Sequence, residues 1–360
     1  MYTSVRRSRP LLRPRPVLLA LALVLAGSLP VAAGSGDWAS PKRVFTASGS
    51  PVQSMARDSN GAVHVATHRS SRGVWYVTNA SGSWKECQVT AANDLQPSIA
   101  VSGSDVHIAF ARFEAVGRGI YTASGSGCAW TVTKRYAGGS SKPSLGARGS
   151  KLSLAFNTDA RKLKFMKGSA GVTTWTTKQT VDTYCCTSPP SLALTHTGSA
   201  RIAYGDGTSR QNGLKYAVRT SSGWKKTKVA RGRVKQVALT LDHTPGLFGR
   251  PPSSGPHIAY MVKSKGTYLS AKGASGTSGK WSQRFLGKSW GPVDVTHGSS
   301  TTQVVHTKSG SIKHARHSGG IWSGGTLTNS GSDTHPQLDG NVLTFTRGKG
   351  TAGVYYSYKK

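Results

Sequence analysis

Acidic side chains are scarce in this sequence. There are 13 Asp and Glu among 360 residues, against 47 Lys and Arg, and the formal net charge is +34. A balance this one-sided favours negatively charged partners, such as anionic polymers and surfaces. It also leaves few carboxylates for acid–base chemistry. The HExxH, P-loop and dinucleotide-binding fingerprints are all missing, which removes the common motif-based signs of zinc proteases and nucleotide-dependent enzymes.

Long hydrophobic runs are missing as well. The apolar stretch at residues 17–25 is too short for an ordinary membrane-spanning helix. It follows five arginines and precedes the small-residue sequence Val31-Ala32-Ala33, which is the pattern of a secretory signal peptide and its cleavage site. We therefore predict a signal peptide over residues 1–33 and an exported, extracellular domain over residues 34–360. Without those arginines, 42 basic and 13 acidic side chains remain, a net charge of +29.

Seven tryptophans recur along the chain at intervals of 41 to 57 residues. Between them lie short apolar runs with strand-like alternation, closed by Gly, Ser or Thr, as in residues 190–229. A period in this range with four strands per unit is typical of a β-propeller, in which each blade packs both faces against its neighbours. The tryptophans are Trp38, Trp84, Trp130, Trp175, Trp224, Trp281 and Trp322.

A second repeated column marks the second strand of each unit. Seven copies occur, and five have Ala at the fourth position, where neighbouring blades would have to approach closely. The last unit ends after three strands, and residues 37–47 supply the strand that it needs. We therefore predict an all-β fold, a seven-bladed β-propeller of four-stranded antiparallel blades, closed by the N-terminal strand completing the last blade. The copies are residues 63–67, 106–110, 152–156, 200–204, 256–260, 302–306 and 341–345.

The four cysteines are expected to be oxidised in an exported domain, and three pairings are possible. Cys185 and Cys186 are adjacent in the loop between the third and fourth blades. We favour a disulfide between them, with Cys87 linked to Cys128 or free. The alternative joins each of the adjacent cysteines to Cys87 or Cys128, which a propeller would hold far apart. No Cys/His spacing resembles a zinc site, and no cofactor is predicted.

Propellers usually bind ligands where the loops between second and third strands meet the loops between blades; we call this the top face. At the second position beyond the aligned column, four consecutive blades place a cation, and we call this set the cation arc. Arginine forks match carboxylate, sulfate or phosphate oxygens, so the arc predicts an anion site, with chance alignment as the alternative. The cation arc consists of Arg69, Arg112, Lys308 and Arg347, with His68 and His306 beside it. A Pro- and Gly-rich insertion, residues 243–254, is expected on the opposite face.

The unit PSLAL…RIAY…LKYA…W, with PSIAV…HIAF and HIAY in other blades, resembles the repeat of sialidase-like (BNR-type) propellers from secreted bacterial proteins. The resemblance spans almost all of residues 34–360 and rests on blade-packing residues, so it implies the fold more strongly than the activity. Sialidases imply six blades, an arginine triad for the substrate carboxylate, a tyrosine nucleophile with a glutamate partner, and Asp-box turns. Here seven blades are predicted and the Asp box is missing. Arg69, Arg112 and Arg347 are the residues that would mimic the triad.

Two functions of different class remain. The first is a non-catalytic secreted propeller that binds an anionic polysaccharide or cell-envelope polymer through its basic top face, and we favour it. The second is a carbohydrate-active enzyme, either a sialidase-like hydrolase that would use two of the top-face acids, or a lyase on uronate-containing polysaccharide, in which His68, His306 or Tyr184 would move the proton. Nucleic acid is a weaker option because export removes most of its opportunity, and the oligomeric state is left open. The top-face acids are Asp94, Glu114, Asp159, Asp182, Asp206 and Asp333.

Overall fold

Seven four-stranded antiparallel sheets make up the structure, which is a computed structural model. It describes residues 37–47, 51–69, 72–138, 142–171, 175–176, 178–207, 212–242, 255–271, 281–289, 291–298, 300–348 and 352–360. The predicted signal peptide (residues 1–33) and the insertion at residues 243–254 lie outside the described residues.

Each sheet is one blade of a propeller. The first strands of neighbouring blades contact one another all the way round, so the sheets form a closed ring. Blade one contains β2 (Gln53–Arg57), β3 (Val63–His68), β4 (Val74–Thr78) and β5 (Lys85–Gln88). Blade two contains β6 (Asp94–Ser102), β7 (Asp105–Arg112), β8 (Gly119–Ser126) and β9 (Ala129–Ala137). Blade three contains β10 (Ser144–Arg148), β11 (Lys151–Asn157), β12 (Leu163–Ser169) and β13 (Gln179–Asp182).

The remaining blades follow in chain order. Blade four contains β14 (Ser191–Leu194), β15 (Ala200–Asp206), β16 (Gly213–Thr220) and β17 (Gly223–Arg231). Blade five contains β18 (Val234–Leu241), β19 (Pro256–Val262), β20 (Gly266–Ala271) and β21 (Ser282–Gly287). Blade six contains β22 (Val293–Gly298), β23 (Thr301–Lys308), β24 (Ser311–Ser318) and β25 (Ile321–Thr326). Blade seven contains β26 (Asp333–Asp339), β27 (Val342–Arg347), β28 (Gly353–Tyr358) and β1 (Lys42–Thr46).

The seventh blade is completed by the N-terminal strand, as predicted. β1 pairs antiparallel with β28, with Lys42 opposite Tyr356 and Thr46 opposite Gly353. Phe45 is only 3% exposed and packs into the core shared by blades seven and one. The strand therefore covers what would otherwise be the open edge of β28.

The second strand of each blade lies at the centre of the core. The alanines at the fourth position of the repeated column are completely buried, as the predicted close approach of neighbouring blades requires. Side chains on both faces of β7 are buried, because one face packs against the preceding blade and the other against the following blade. The five alanines are Ala66, Ala109, Ala155, Ala203 and Ala259.

The repeated tryptophans join neighbouring blades near the rim. Five of them contact an aromatic ring on the third strand of the preceding blade, at centroid separations of 5.0 to 6.1 Å. Trp175 and Trp322 instead lie beneath Arg135 and Arg284 from the outer strand of the preceding blade. The five ring pairs are Trp38–His314, Trp84–Tyr356, Trp130–Tyr76, Trp224–Phe165 and Trp281–Tyr216.

Both cysteine pairs are bonded in the structure. Cys185 is joined to its neighbour Cys186, and Cys87 in β5 is joined to Cys128 just before β9. The second bond links the outer strands of blades one and two. Two disulfides are compatible with an oxidising, extracellular environment. In the described part of the chain, no helix has the length and apolar character needed to cross a membrane.

Candidate functional site

Arg112 and Arg347 in the cation arc occupy equivalent positions and have equivalent partners. Each forms a two-pronged ion pair with a completely buried carboxylate, Arg112 with Asp94 at 2.6 and 2.8 Å and Arg347 with Asp333 at 2.6 and 3.1 Å. The pairing follows from register, since each aspartate opens the first strand directly opposite the arginine that ends the second. The aspartate hydrogen bonds raise the pKa of both guanidinium groups. Both arginines are therefore held in place and locally neutralised.

Aromatic rings complete the surroundings of the arc arginines. Arg112 lies 4.4 Å above the ring of Tyr121, and Arg347 lies 4.4 Å above that of Tyr355. Arg69 lies between Phe45 and Trp75, at 4.4 and 4.2 Å, and approaches Glu86 at 3.3 Å. Cation–π contacts of this kind fix the plane of each guanidinium.

The remaining arc residues have different environments. Lys308 is exposed at the end of β23. His306 is buried, and burial lowers its pKa to about 4, with Lys308 and Lys313 adding to the shift. Burial also lowers the pKa of His68. Both imidazoles are therefore neutral at neutral pH. The Nδ1 atoms of His68 and His306 have no hydrogen-bond partner among the described residues.

Blade four reverses the charges of this position. Asp206 replaces the arginine, and Lys215 lies 2.9 Å from it and 3.1 Å from Asp182. Asp182 also accepts hydrogen bonds from Tyr204 at 2.7 Å and from Lys226 at 2.8 Å. Burial acts to raise the pKa of Asp182, but these three donors outweigh burial and lower it.

The acids of the enzyme hypothesis are thus engaged in local contacts. Four of them belong to the ion pairs just described. Asp159 pairs with Arg118 at 3.0 Å, and a Glu114 oxygen accepts a hydrogen bond from the amide of Asn93 at 3.2 Å. Tyr184 is 73% exposed and precedes the Cys185–Cys186 disulfide.

A cavity of about 220 Å³ lies on the propeller axis, and we call it the axial pocket. All seven blades line it through the beginnings of their first strands. These strand ends lie beside the ends of the second strands, as the pairing of Asp94 with Arg112 shows, so the pocket belongs to the top face. Its polar lining includes Gln53, Gln96, Lys142, Gln236, Asp294 and His335.

A ring of hydrogen bonds between blades surrounds the axial pocket. In four blades a first-strand serine accepts a hydrogen bond from a backbone amide of the next blade, at 2.9 to 3.2 Å. Blade six has Asp294 at this position, and its carboxylate accepts the equivalent bond from the amide of Leu338 at 2.7 Å. The aspartate at the serine position of blade six therefore places a carboxylate in the axial pocket. The four serine bonds are Ser54 to Ile99, Ser98 to Leu145, Ser144 to Leu192 and Ser191 to Leu239.

Enclosure by protein shifts the charged groups of the axial pocket. Burial lowers the pKa of Lys142 to about 8, against the attraction of Asp294. Burial raises the pKa of Asp294 to about 7, although two backbone amides and Lys142 act in the opposite direction. Burial also lowers the pKa of His335 to about 4. Perturbed groups gathered in a concave site are typical of functional sites.

The axial pocket also contains hydrogen-bonding groups with spare capacity. Gln53 is 1% exposed, and its amide nitrogen donates to the carbonyl of His335 at 2.9 Å. Lys142 donates to the carbonyl of Gln53 at 3.2 Å. The side-chain oxygens of Gln53 and Gln96 have no partner among the described residues. A buried acceptor without a donor indicates a place for a ligand hydroxyl or an ordered water.

Sequence reasoning missed the axial pocket. The signal was a column in the first strands, where Pro97-Ser98, Pro143-Ser144 and Pro190-Ser191 recur at one position of the repeat. Asp294 stands where blades one to four have the serine. Lys142 lies two residues before Ser144, the serine of its own blade. Such departures within a structural column mark the residues that the fold alone does not explain.

Comparison with known proteins adds information on the fold. No protein-family model matches the sequence, and no curated protein matches it significantly. Among solved structures, an ulvan lyase of the PL25 polysaccharide lyase family, bound to -[GlcA(1-4)Rha3S]-, has a TM-score of 0.59 at 8% identity, covering 88% of this chain and 95% of its own. The Aleuria aurantia lectin in complex with Fucalpha1-6GlcNAc has a TM-score of 0.52 at 13% identity, covering 78% and 98%. YCF48 from Cyanidioschyzon merolae has a TM-score of 0.57 at 12% identity, covering 89% and 99%.

Proposed function

We propose that this protein is a secreted, sialidase-like propeller that binds an anionic polysaccharide, such as a cell-envelope polymer, at its top face without cleaving it. The observation that carries the proposal is Lys142, a cation inside an axial pocket lined by amide and hydroxyl groups. These groups match the hydroxyls and acidic substituents of a charged sugar. The lectins and polysaccharide lyases with similar folds make a carbohydrate ligand plausible.

The size of the axial pocket suits part of a polymer. At about 220 Å³ it is smaller than the pockets that enclose whole drug-sized ligands, which begin at roughly 300 Å³. We expect one acidic substituent, or one edge of a sugar ring, to enter the pocket while the rest of the chain lies across the top face. Lys142 would bind the charged group, and Gln53 and Gln96 would accept hydrogen bonds from ring hydroxyls.

The cation arc contributes the rim in this proposal. Arg69, Arg112 and Arg347 each have a carboxylate nearby, so they supply oriented N–H donors more than net positive charge. Lys308 supplies an exposed charge, and the partly buried, neutral His68 supplies a further hydrogen-bonding group, whereas His306 is buried. In this proposal the axial pocket attracts the charged group of the ligand, and the rim orients the rest of the ligand through its N–H donors.

A lyase acting on uronate-containing polysaccharide is the second candidate. His335 is neutral at neutral pH and lines the same pocket as Lys142. A neutral imidazole can accept the proton next to a uronate carboxylate, and a lysine can stabilise the resulting charge. In such a reaction the C5 proton passes to the imidazole, the C4–O glycosidic bond breaks, and the departing oxygen takes a proton from water, which leaves an unsaturated sugar that absorbs ultraviolet light.

One experiment tests both candidates. Residues 34–360 are screened against neutral and anionic polysaccharides, with binding and unsaturated products measured on the same samples, alongside a Lys142→Gln variant. We expect binding to anionic polysaccharides, loss of most of that binding in Lys142→Gln, and no product. Unsaturated product from the parent protein would favour the lyase, and equal binding by parent and variant would rule out the axial pocket as the centre of the site.

A further inference from the structure

A cleft of about 870 Å³ lies between blades three and four at their lower end, the end away from the top face. Within the described residues, the outer strand β13 of blade three pairs with β12 over Leu163–Phe165, and further along the Thr176 amide donates to the Lys167 carbonyl at 2.8 Å. In blade four the outer strand β17 pairs with β16 along its whole length, from Gly213 to Thr220.

The lining of this cleft is cationic and rich in hydroxyl groups. Lys151, Lys167 and Arg219 contribute three positive charges, and the described residues that line the cleft include no carboxylate. Seven of the lining residues are Ser or Thr. The indole ring of Trp175 forms part of the wall of the cleft. We define the lower cleft by Lys151, Ser153, Lys167, Trp175, Ser199 and Arg219.

Two glycines keep the lower cleft open and position its side chains. A Cβ atom on Gly168 would lie 2.6 Å from Trp175, and one on Gly198 would lie 2.7 Å from the Lys151 side chain. Gly198 also has a φ of +80°, which favours glycine. Lys151 can therefore cross to blade four, where its ammonium donates to the carbonyl of Thr197 at 2.9 Å. Thr176 secures Trp175 through two hydrogen bonds with Lys167, at 2.8 and 3.0 Å.

We propose that the lower cleft is a second binding site, for a short stretch of oligosaccharide that carries sulfate or carboxylate groups. The cations match these groups, the serine and threonine hydroxyls match the ring hydroxyls, and the indole edge offers an apolar surface to a sugar ring. The volume falls in the range of roughly 300–1,000 Å³ that is typical of ligand pockets. The inference rests on the proposed function only for the class of ligand.

A polynucleotide fits the lower cleft less well. Single-stranded nucleic acids bind mainly through bases stacked on aromatic faces. Trp175 is the one aromatic residue in the described lining, and its ring already contacts Gly168 and lies beneath Arg135. A single-stranded oligonucleotide therefore serves as a competitor in the test.

The test combines lysine footprinting with calorimetry on residues 34–360. The probe is a sulfated tetrasaccharide from heparin, with maltotetraose as its neutral counterpart, at about 0.15 M salt to screen diffuse charge effects. We expect the sulfated probe to protect Lys151 and Lys167 from acetylation while Lys225 and Lys228 on β17 stay reactive. Maltotetraose should protect none of the four. An oligonucleotide that protects Lys151 and Lys167 better than the sulfated probe would overturn the ligand class.

Matched variants separate the lower cleft from the axial pocket. Lys151→Gln/Lys167→Gln keeps hydrogen-bonding side chains and removes two charges, as does the control Lys225→Gln/Lys228→Gln. We expect the first to weaken binding at the lower cleft about tenfold or more and the control to change it less than about threefold. Thermal unfolding checks that both variants are folded.

The outcomes of the two proposals are distinguishable. If both hold, calorimetry gives two sites per protein, and either Lys142→Gln or the lower-cleft variant removes one. If only the lower cleft binds, Lys142→Gln changes nothing while Lys151 and Lys167 remain protected. Absence of protection at these lysines, or equal losses in the lower-cleft and control variants, would overturn the lower cleft whatever happens at Lys142.

Discussion

Lys142 and Asp294 are electrostatically coupled inside the axial pocket, although they come from blades on different sides of the ring. Asp294 occupies the position of a structural serine, and it keeps the hydrogen bond to the next blade that the serine would make. The fold therefore gains a titratable carboxylate without losing a contact between blades. Because the carboxylate and the ammonium titrate near neutral pH, the net charge of the pocket depends on pH in the physiological range.

Binding of a sulfated ligand in the axial pocket should strengthen as the pH falls from 8 to 6. Asp294 has a pKa of about 7 and Lys142 a pKa of about 8, so protonation of both makes the pocket more positive over this range. His335 stays neutral until its pKa of about 4 is approached, and sulfate itself does not titrate. We expect an increase in affinity of roughly tenfold or more, measured by calorimetry at constant ionic strength.

The variant Asp294→Asn is the control for this pH effect. It keeps an oxygen for the Leu338 amide and removes the titration, so affinity at pH 8 should rise and the remaining pH dependence should follow Lys142 alone. The folded-state pKa of Asp294 lies above its ordinary value of 3.8, so its ionisation costs stability as the pH rises through about 7. The variant should therefore gain stability relative to the parent at pH 8. Identical binding profiles for parent and variant would contradict the assignment.

Replacement of Arg112 by Ala should destabilise the protein substantially. The substitution leaves the Asp94 carboxylate, which is completely buried, without its partner. Breaking a buried ion pair in this way costs about 3–5 kcal/mol of unfolding free energy. Urea denaturation measures the loss, and Lys308→Ala, at an exposed position, should change stability by less than about 0.5 kcal/mol.

A second variant shows whether the unpaired charge causes the loss. Asp94→Ala/Arg112→Ala removes both members of the pair, so it should recover part of the stability lost in Arg112→Ala. If Arg112→Ala proves as stable as Lys308→Ala, the ion pair does not stabilise the fold and Arg112 is available to bind a ligand anion.

Because Arg112→Ala is expected to destabilise the protein, a binding test of the cation arc uses Arg112→Lys, which keeps a cation beside Asp94.

The fold was predictable from sequence because each blade is a local meander. Strands that follow one another in the chain pair with one another, so seven spaced tryptophans and seven copies of the second-strand column give the blade count directly. Closure was also predictable, because blade seven needed a strand and residues 37–47 supplied one.

The candidate site was only partly predictable. Arg112 and Arg347 end second strands opposite aspartates of the first strand, and these ion pairs were not predicted from the sequence. The shared Asp–Arg pattern of blades two and seven was the available signal. The axial pocket was harder to predict from the sequence, because Lys142, Asp294 and His335 come from three blades and lie in one pocket only when the ring is closed.

Peptide mapping under non-reducing conditions should find Cys185 bonded to Cys186 and Cys87 bonded to Cys128. The Cα atoms of the second pair are 5.2 Å apart on neighbouring blades, within the usual span of a disulfide. The adjacent pair should appear as a single peptide two hydrogens lighter than its reduced form, and Cys185→Ser/Cys186→Ser should eliminate that species. A peptide that links Cys87 to Cys185 or Cys186 would refute the pairing.

Removal of residues 34–47 should expose the edge of β28 and destabilise the ring. The deletion removes the pairing from Lys42 to Thr46, the buried side chain of Phe45 and the contact of Trp38 with His314. Loss of a buried Phe side chain alone costs about 3–5 kcal/mol, and an open strand edge promotes aggregation. We expect a lower thermal midpoint and concentration-dependent aggregation.

A synthetic peptide of residues 37–47 separates loss of the strand from general damage. If β1 acts by pairing with β28, the peptide added in excess should bind the truncated protein and raise its thermal midpoint by mass action. A peptide with Phe45→Ala should be much weaker, because it restores the hydrogen bonds but not the buried ring, whereas Lys42→Ala should act like the parent peptide, since Lys42 is exposed. Unchanged thermal unfolding of the truncated protein, or equal rescue by the Phe45→Ala peptide, would show that the seventh blade does not depend on this strand.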